Sequence, residues 1–145
     1  YDMGINQFDG TIHPALGFRT GLTYLAVEAN HLTGIIPTEL GFLSQQLTAL
    51  ELYENMFDPT IPTELGHLTS LILLDMENCT HGALLPTELF ALPNLTDLYL
   101  FDNQLRGTIP TEIAAMTLLQ YLLANNNDMS GVIPSELGLL TDLRE

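Results

Sequence analysis

The chain has 145 residues, and its 18 acidic residues against three basic ones give a formal net charge of −15. This charge argues against nucleic acids and anionic membranes as partners, because their phosphates attract Lys and Arg. The chain has no apolar run of about 18 residues and no basic segment followed by an apolar stretch, so it predicts no transmembrane helix and no signal peptide within these residues. The single cysteine, Cys79, excludes an intramolecular disulfide.

In chain order, the first feature that recurs is a short phrase, which reads IIPTELG at 35–41 and returns with small changes at 60–66, 84–90, 108–114 and 132–138. The intervals are 25, 24, 24 and 24 residues between its prolines, which are Pro37, Pro62, Pro86, Pro110 and Pro134. An earlier copy, TIHPALG at 11–17, has His13 in the proline position. A constant period predicts a coil of stacked turns. The one extra residue falls within 43–47, and we place it on the outer side, where packed layers tolerate an insertion.

A second landmark has the same period. Asparagine recurs at Asn6, Asn30, Asn55, Asn103 and Asn127, and Cys79 occupies the remaining position. Upstream of each lies an L-x-x-L-x-L pattern, such as Leu95, Leu98 and Leu100, whose alternation is typical of a strand with one buried face. We expect each buried asparagine to satisfy backbone groups of neighbouring turns, so that the asparagines form a ladder. Gly10, Gly34, Gly107 and Gly131 follow at the same interval and predict a turn that other residues would strain.

The full unit, L-x-x-L-x-L-x-x-N-x-L-x-G-x-I-P-x-E-L-G-x-L, resembles the 24-residue leucine-rich repeat of the plant type. That type occurs in receptor-like kinase ectodomains, receptor-like proteins and polygalacturonase inhibitors. The resemblance implies an α/β solenoid, a right-handed coil with a parallel concave β-sheet and an irregular or 3₁₀ convex side. One unit is too short to bury its own leucines, so the units must stack and share a core.

The resemblance covers the whole chain, so we expect a single leucine-rich-repeat domain over 1–145 with about six repeats. Neither end shows the paired-cysteine cap of extracellular family members, and we expect a fragment of a longer array. The family implies an extracellular or cell-surface location.

The outward-facing positions of the concave strands differ between copies, and these are the candidate partner-binding residues. They are acidic or aromatic and include neither Lys nor Arg: Tyr24, Glu28, Glu51, Tyr53, Asp75, Glu77, Asp97, Tyr99, Phe101 and Tyr121. Aromatic anchors among charges are typical of binding hot spots. The alternative is a solvated acidic face whose aromatics are tolerated for their β-propensity.

Three further features have mainly structural interpretations. The glutamate stripe Glu39, Glu64, Glu88, Glu112 and Glu136 matches the usual residue after I-P-x in the family. In the irregular turn at 78–83, Cys79 takes the ladder position, His81 a buried leucine position and Ala83 the glycine position, so we expect Cys79 and His81 to point into the core rather than bind zinc. The triplets NCT and NLT make Asn78 and Asn94 possible N-glycosylation sites, and Asn94 is the more favourable position.

The chain contains no catalytic motif, and an open coil offers no water-excluding pocket, so we predict neither an enzyme nor a cofactor or metal. The predicted function is recognition of a protein or peptide, basic and partly apolar, on the concave face. Two alternatives are a structural spacer in a wall, appendage or larger complex, and an inhibitor of a secreted hydrolase.

Overall fold

The computed structural model describes residues 1–145, which form a coil of stacked turns. The eight strands are β1 (Asp9–Gly10), β2 (Tyr24–Ala26), β3 (His31–Gly34), β4 (Ala49–Glu51), β5 (Met56–Phe57), β6 (Leu73–Asp75), β7 (Asp97–Tyr99) and β8 (Tyr121–Leu123). The six 3₁₀ helices are η1 (Pro14–Phe18), η2 (Thr38–Leu43), η3 (Thr63–His67), η4 (Thr87–Ala91), η5 (Thr111–Ala115) and η6 (Ser135–Leu139). The predicted solenoid, with parallel strands on one side and 3₁₀ helices on the other, is confirmed.

A parallel sheet in the order β2-β4-β6-β7-β8 forms the concave side. Its register has no slip, because Leu25, Leu50, Leu74, Leu98 and Leu122 pair successively across the sheet. Asp2 adds a single bridge to Ala26 at the first edge. We number the turns as layers 1 to 6: layer 1 contains Asp2, and layers 2 to 6 contain these five strands in order. The leucines face the core, so the residues on either side of them face outward.

The hydrophobic core runs between the concave sheet and the 3₁₀ helices as one cluster of 32 buried residues. Each layer contributes leucines from both sides. In layer 3, for example, Leu50 of β4 and Leu65 of η3 are both fully buried. Burying one such leucine contributes about 1.5–3 kcal/mol, and the layers share these contacts, so no single turn is stable alone.

The asparagine ladder is present as predicted. The Asn103 amide nitrogen donates to the carbonyl oxygens of Met76, Leu100 and Phe101, and its oxygen accepts from the N–H groups of Cys79 and Thr80. Each ladder residue is preceded by one non-glycine residue with positive φ, as Asp102 precedes Asn103. The predicted glycine turns are also confirmed, since Gly10, Gly34, Gly107 and Gly131 all have positive φ.

A second, smaller parallel sheet of order β1-β3-β5 lies beyond the ladder, and the sequence analysis did not predict it. Asp9 pairs with His31, and Thr33 pairs with Met56. Isolated bridges from Phe57 to Thr80 and from Leu84 to Arg106 continue the same pairing. The segments are two to four residues long and lack the L-x-L alternation that marks the concave strands.

The convex helices allow close contact between layers. A Cβ added at Gly41 would lie 2.6 Å from the carbonyl oxygen of Glu64 in the next layer, so glycine is required there. The predicted position of the extra residue is confirmed: η2 has six residues where the other 3₁₀ helices have five. It lengthens a turn on the outer side, where Gln46 N–H donates to the Leu43 carbonyl.

The irregular turn at 78–83 corrects part of the prediction. Cys79 is buried as expected, and its thiol donates to the Met76 carbonyl at 3.1 Å. His81, however, is exposed, and Thr80 is fully buried. The positive φ falls on Gly82 rather than on Ala83, which is buried. The turn has therefore slipped by one residue, because Gly82 adopts the left-handed conformation at a lower cost than Ala83 would.

Candidate functional site

The candidate site is the solvent-facing surface of the concave sheet, on the inner side of the coil. All ten residues predicted to bind a partner lie in its strands or two residues after them, as the strand register requires. None of the three arginines, Arg19, Arg106 and Arg144, lies in these strands. The surface divides into two parts, which we name here. The acidic half comprises Asp2, Tyr24, Glu28, Glu51, Tyr53, Asp75 and Glu77, and the aromatic half comprises Asp97, Tyr99, Phe101, Tyr121 and Leu123.

In the acidic half, carboxylates lie directly opposite each other on adjacent strands. Glu51 of β4 pairs in register with Asp75 of β6, and both are half-buried. Like charges in directly opposite positions repel. Burial raises the pKa of Asp75 to about 6, and repulsion from neighbouring carboxylates adds to the shift. A hydrogen bond from the backbone N–H of Glu77, at 3.1 Å, partly opposes it.

Glu28 is more buried than the sequence predicted, with only 7% of its surface exposed. Its side chain folds back over Gly4 of layer 1. The Oε1 atom lies 1.8 Å from the position that a Cβ would occupy at Gly4, so only glycine leaves room for it. The Oε2 atom is buried and has no hydrogen-bond partner. Burial raises the pKa of this carboxyl group, and repulsion from Glu51 and Asp2 adds to the shift, while an interaction with the Glu28 backbone N–H partly opposes it. A buried carboxylate oxygen without a donor is costly to ionise, which agrees with the raised pKa.

Two tyrosines line these carboxylates. Hydrogen bonding to Glu51, together with burial, raises the pKa of the Tyr24 phenol to about 12. Burial and the charges of Glu28 and Glu51 raise the pKa of Tyr53. Both phenols therefore remain neutral at physiological pH. The acidic half thus combines uncompensated negative charge with aromatic surface, an arrangement that suits a guanidinium or ammonium group.

The aromatic half has a different electrostatic character. Its one acidic side chain, Asp97, accepts hydrogen bonds from the hydroxyl groups of Tyr99 and Thr96, the former at 3.0 Å. Burial and this interaction with Asp97 raise the pKa of Tyr99 to about 12. Phe101 and Tyr121 are half-buried and present apolar surface beside Tyr99. The Asp97 carboxylate is hydrogen-bonded by its own neighbours, and the other side chains of this half present aromatic or apolar surface.

Two residues that were not singled out from the sequence also border the site, Glu54 and Asp102. Both are exposed, and their charges raise the pKa of Glu77 after the larger effect of burial. Each directly precedes a ladder asparagine and has a positive φ. The sequence signal that would have identified them is this position: the residue before each ladder asparagine has left-handed backbone and borders the concave face.

The glutamate stripe lies on the convex helices, away from the candidate site. Each glutamate follows a Thr or Ser whose hydroxyl donates to its carboxylate, as Thr87 does to Glu88 at 3.4 Å. Glu88 and Glu112 are exposed. These contacts are local to each layer, which fits the structural interpretation of the stripe.

The remaining candidates lie outside the concave columns. Asn94 is exposed between η4 and β7, and its amide donates to the Thr69 carbonyl at 2.8 Å. Asn78 is exposed in the irregular turn.

Burial raises the pKa of the Cys79 thiol, which keeps it protonated and unreactive. No group of three or more His, Cys, Asp and Glu residues is arranged to hold a metal ion. None of the helices has the length and apolarity needed to cross a bilayer.

Comparisons with known proteins agree with this geometry. The family model described as Leucine Rich Repeat matches residues 94–116. The chain is similar to the ectodomain of the plant membrane receptor kinase GASSHO1/SCHENGEN3 from Arabidopsis thaliana, solved in complex with CASPARIAN STRIP INTEGRITY FACTOR 2, with 36% identity and a TM-score of 0.92 over 97% of this chain and 17% of that one. No curated protein sequence matches the chain significantly.

Two further solved structures are similar. PEPR1–AtPEP1 has 37% identity and a TM-score of 0.94 over 99% of this chain and 20% of that one. The Arabidopsis receptor kinase HAESA, in complex with the peptide hormone IDA and the co-receptor SERK1, has 31% identity and a TM-score of 0.89 over 96% of this chain and 23% of that one. The chain therefore spans about a fifth of the length of these receptors. It is a leucine-rich-repeat protein of the plant type.

Proposed function

We propose that this chain is a non-enzymatic recognition module that binds a basic, partly apolar protein or peptide on its concave face. The observation that carries the proposal is the acidic half, where Glu51 and Asp75 oppose each other with no arginine in the sheet to neutralise them. A cationic partner would relieve this repulsion, and charge complementarity would also accelerate its association.

The comparisons support the recognition role. Each of the three similar proteins was solved with a bound partner, and the partners of HAESA include the peptide hormone IDA. For the same reason we propose an extracellular or cell-surface location, as in receptor ectodomains.

The test is binding of short synthetic peptides of equal length that differ in net charge, measured by fluorescence anisotropy. We expect basic peptides to bind and acidic peptides not to bind. The double variant Glu51→Lys with Asp75→Lys should weaken that binding by at least about a hundredfold, because two attractive charges become repulsive. The matched control reverses two convex charges, Glu88→Lys with Glu112→Lys, and should change affinity by less than about threefold.

If both double variants lose binding equally, the interaction depends on net charge rather than on the concave face. If no peptide binds, the recognition role fails and the spacer role replaces it. Circular dichroism on each variant separates lost binding from lost folding.

In a secretory host, we further propose that Asn94 carries an N-linked glycan. Its side chain is exposed in the loop before β7, clear of the outward columns of the concave sheet. The intact mass of the secreted protein should fall by one glycan in Asn94→Gln and stay unchanged in Asn78→Gln. The opposite pattern would assign the glycan to Asn78, beside Cys79.

A further inference from the structure

One side of the coil differs in charge from the rest of the molecule. We call it the return flank, because its segments run from the end of each 3₁₀ helix toward the concave side. It consists of residues 18–23, 42–48, 67–72, 91–96, 115–120 and 139–144. Only one of the 18 acidic residues, Asp142, lies in these segments, together with two of the three arginines, Arg19 and Arg144. The return flank therefore has no net negative charge, although the chain as a whole carries −15.

The other three sides of the coil hold nearly all of the acidic residues. The convex side has the glutamate stripe, and the concave side has the acidic half. The ladder side, which we define as the segments between each ladder position and the next 3₁₀ helix, adds Asp9, Asp58 and Asp128. Two copies of this chain that approach through any of these sides bring like charges together, and like charges repel.

Several polar groups of the return flank are already used within the coil. The hydroxyl group of Thr48 donates to the Thr23 carbonyl at 2.9 Å, and that of Thr69 donates to the Ser44 carbonyl at 3.2 Å. The Asn94 amide donates to the Thr69 carbonyl in the same way. These bonds join successive layers, so the groups that make them need no partner from outside. What the return flank offers to another molecule is therefore mainly apolar.

Two aromatic rings form the most prominent apolar feature of the return flank. Phe18 of layer 1 and Phe42 of layer 2 are 63% and 62% exposed, and their ring centroids are 5.4 Å apart. Ile72, Leu118 and Leu139 are also exposed in the flank segments. An aromatic side chain has about 150–250 Å² of surface, so the two rings expose roughly 200–300 Å² per copy. Contiguous apolar patches of this size often mark interaction sites.

We propose that the return flank binds a second copy of this chain, with the Phe18 and Phe42 rings of one copy packed against those of the other. A two-fold contact pairs the same patch on both copies, so that patch must be complementary to itself. An uncharged apolar patch meets this requirement, whereas an acidic surface repels its own copy. The contact does not use the concave face, so it is independent of the proposed recognition function.

The size of the patch and the charge of the chain set the expected strength of the dimer. The rings of both copies together bury about 400–600 Å², well below the roughly 1,600 Å² of a standard interface, so we expect a weak dimer with a Kd of about 10 μM to 1 mM. Repulsion between two chains of charge −15 opposes the contact at low salt. Salt screens this repulsion and leaves the apolar contact intact, so association should strengthen with ionic strength.

The first test is sedimentation equilibrium of the protein made in bacteria, which carries no glycan at Asn94 in layer 4 of the same flank. We expect the mass to rise toward that of a dimer as the concentration increases from about 10 μM to 1 mM. The Kd should be at least about tenfold lower in 0.5 M than in 0.05 M NaCl, because the Debye length falls below the separation of the two charge distributions. A protein that remains monomeric at 1 mM in 0.5 M NaCl overturns the proposal.

A pair of ring substitutions tests the location of the contact. Phe18→Ser with Phe42→Ser should weaken dimerisation by at least about tenfold, because it removes the apolar centre of the patch. The matched control is Leu84→Ser with Val132→Ser on the ladder side, where the side chains are 70% and 87% exposed. This control should change the Kd by less than about threefold. Equal losses in both variants would mean unspecific apolar association and would overturn the assignment to the return flank.

A second pair of variants keeps the rings and changes only the charge around them. Thr20→Glu with Gln45→Glu adds two carboxylates at exposed positions, two and three residues after the rings. It should weaken dimerisation at least about tenfold in 0.05 M NaCl and less in 0.5 M NaCl, because the added repulsion is screened. The same charges added on the ladder side, in Thr60→Glu with Thr108→Glu, should have less than about a threefold effect. If the flank variant also has no effect, the contact lies elsewhere and the proposal is wrong.

A final variant separates the two-fold contact from a head-to-side contact, in which the return flank of one copy would bind the acidic half of the next. Glu51→Lys with Asp75→Lys should not weaken dimerisation, although the same variant is expected to lose basic peptides. Weaker association in this variant, or association that salt weakens, would contradict the two-fold contact. Dimerisation without peptide binding would leave this inference standing while the proposed recognition function fails.

Discussion

The inner and outer walls of this coil both carry an acidic residue in most layers, yet the two rows of carboxylates differ in their surroundings. On the inner wall, Glu51 and Asp75 oppose each other across strands, and burial raises the pKa of Asp75 to about 6. On the outer wall, Glu88 is exposed and accepts a hydrogen bond from its neighbour Thr87. The phrase that the chain repeats most faithfully therefore forms the outer wall, and the positions that vary most between repeats face the concave side.

The walls also differ in how they join successive layers. The inner wall is joined by hydrogen bonds, from the strand pairing and from side chains such as Asn103. The outer wall is joined by close backbone contact, which requires the absence of a side chain at Gly41.

The largest effect is expected for Asn103→Ala on the inner wall. The change leaves the buried N–H groups of Cys79 and Thr80 without an acceptor. It also removes one of two donors from each of the Met76, Leu100 and Phe101 carbonyl groups. We expect the free energy of unfolding, measured by urea titration, to fall by about 3–5 kcal/mol. Asn6→Ala is the control, because Asn6 is exposed and donates only to Met3 and Gly4. A comparable loss in both variants would contradict the assigned role of the ladder.

The next effect is expected for Gly41→Ala on the outer wall. The new methyl group would lie 2.6 Å from the Glu64 carbonyl oxygen and 3.0 Å from its Cβ, so layers 2 and 3 must separate. We expect a loss of about 1–3 kcal/mol in thermal or urea unfolding. Gly138 occupies the same position of the repeat, and a Cβ there would have no atom within 4 Å. Gly138→Ala should therefore leave the free energy of unfolding unchanged. Tolerance of both changes would show that the outer wall adjusts freely.

A smaller effect, of opposite sign, is expected for Asp75→Asn. The pKa of Asp75 is raised from 3.8 to about 6, so the folded protein holds a proton that the unfolded chain releases, and stability falls as pH rises through this window. The neutral amide avoids this cost and can still accept the hydrogen bond from Glu77 N–H. We expect a gain of about 1 kcal/mol at pH above about 6, allowing for solvent screening.

The pH dependence provides the check on this variant. The gain should disappear as the pH falls through 6 toward 3.8, because the wild-type carboxyl group is then protonated in the folded state. A gain that is constant with pH would indicate a cause other than ionisation. Parallel unfolding curves of both proteins across this range are sufficient.

The smallest effect is expected for Glu88→Gln on the outer wall. Glu88 is exposed, and glutamine retains an oxygen that can accept the hydrogen bond from Thr87. We expect stability to change by less than about 0.5 kcal/mol at any pH from 4 to 8. If Glu88→Gln changed the free energy of unfolding as much as Asp75→Asn does, the proposed electrostatic difference between the two walls would be wrong.

Much of the fold could be predicted from the period of the sequence alone. The leucine pattern identified the strands of the concave sheet, and the asparagines identified the ladder, because a buried amide in a regular coil repeats the same interactions in each layer. The insertion at 43–47 could be placed on the outer side because only an outer turn can lengthen without breaking the strand register. The irregular turn was harder: His81 was assigned to the core by counting positions, but the glycine at 82 moved the turn by one residue.

The sequence by itself therefore determined the solenoid, its core and the columns of side chains that face outward on the concave sheet, since these follow from a fixed period and from alternation. Only the tertiary structure decided the second sheet, the exposure of His81, the burial of Glu28 and the raised pKa of Asp75. These features depend on which side chains from different layers meet in space and on how far each is removed from water. Such distances between layers are not encoded in the spacing of residues along one chain.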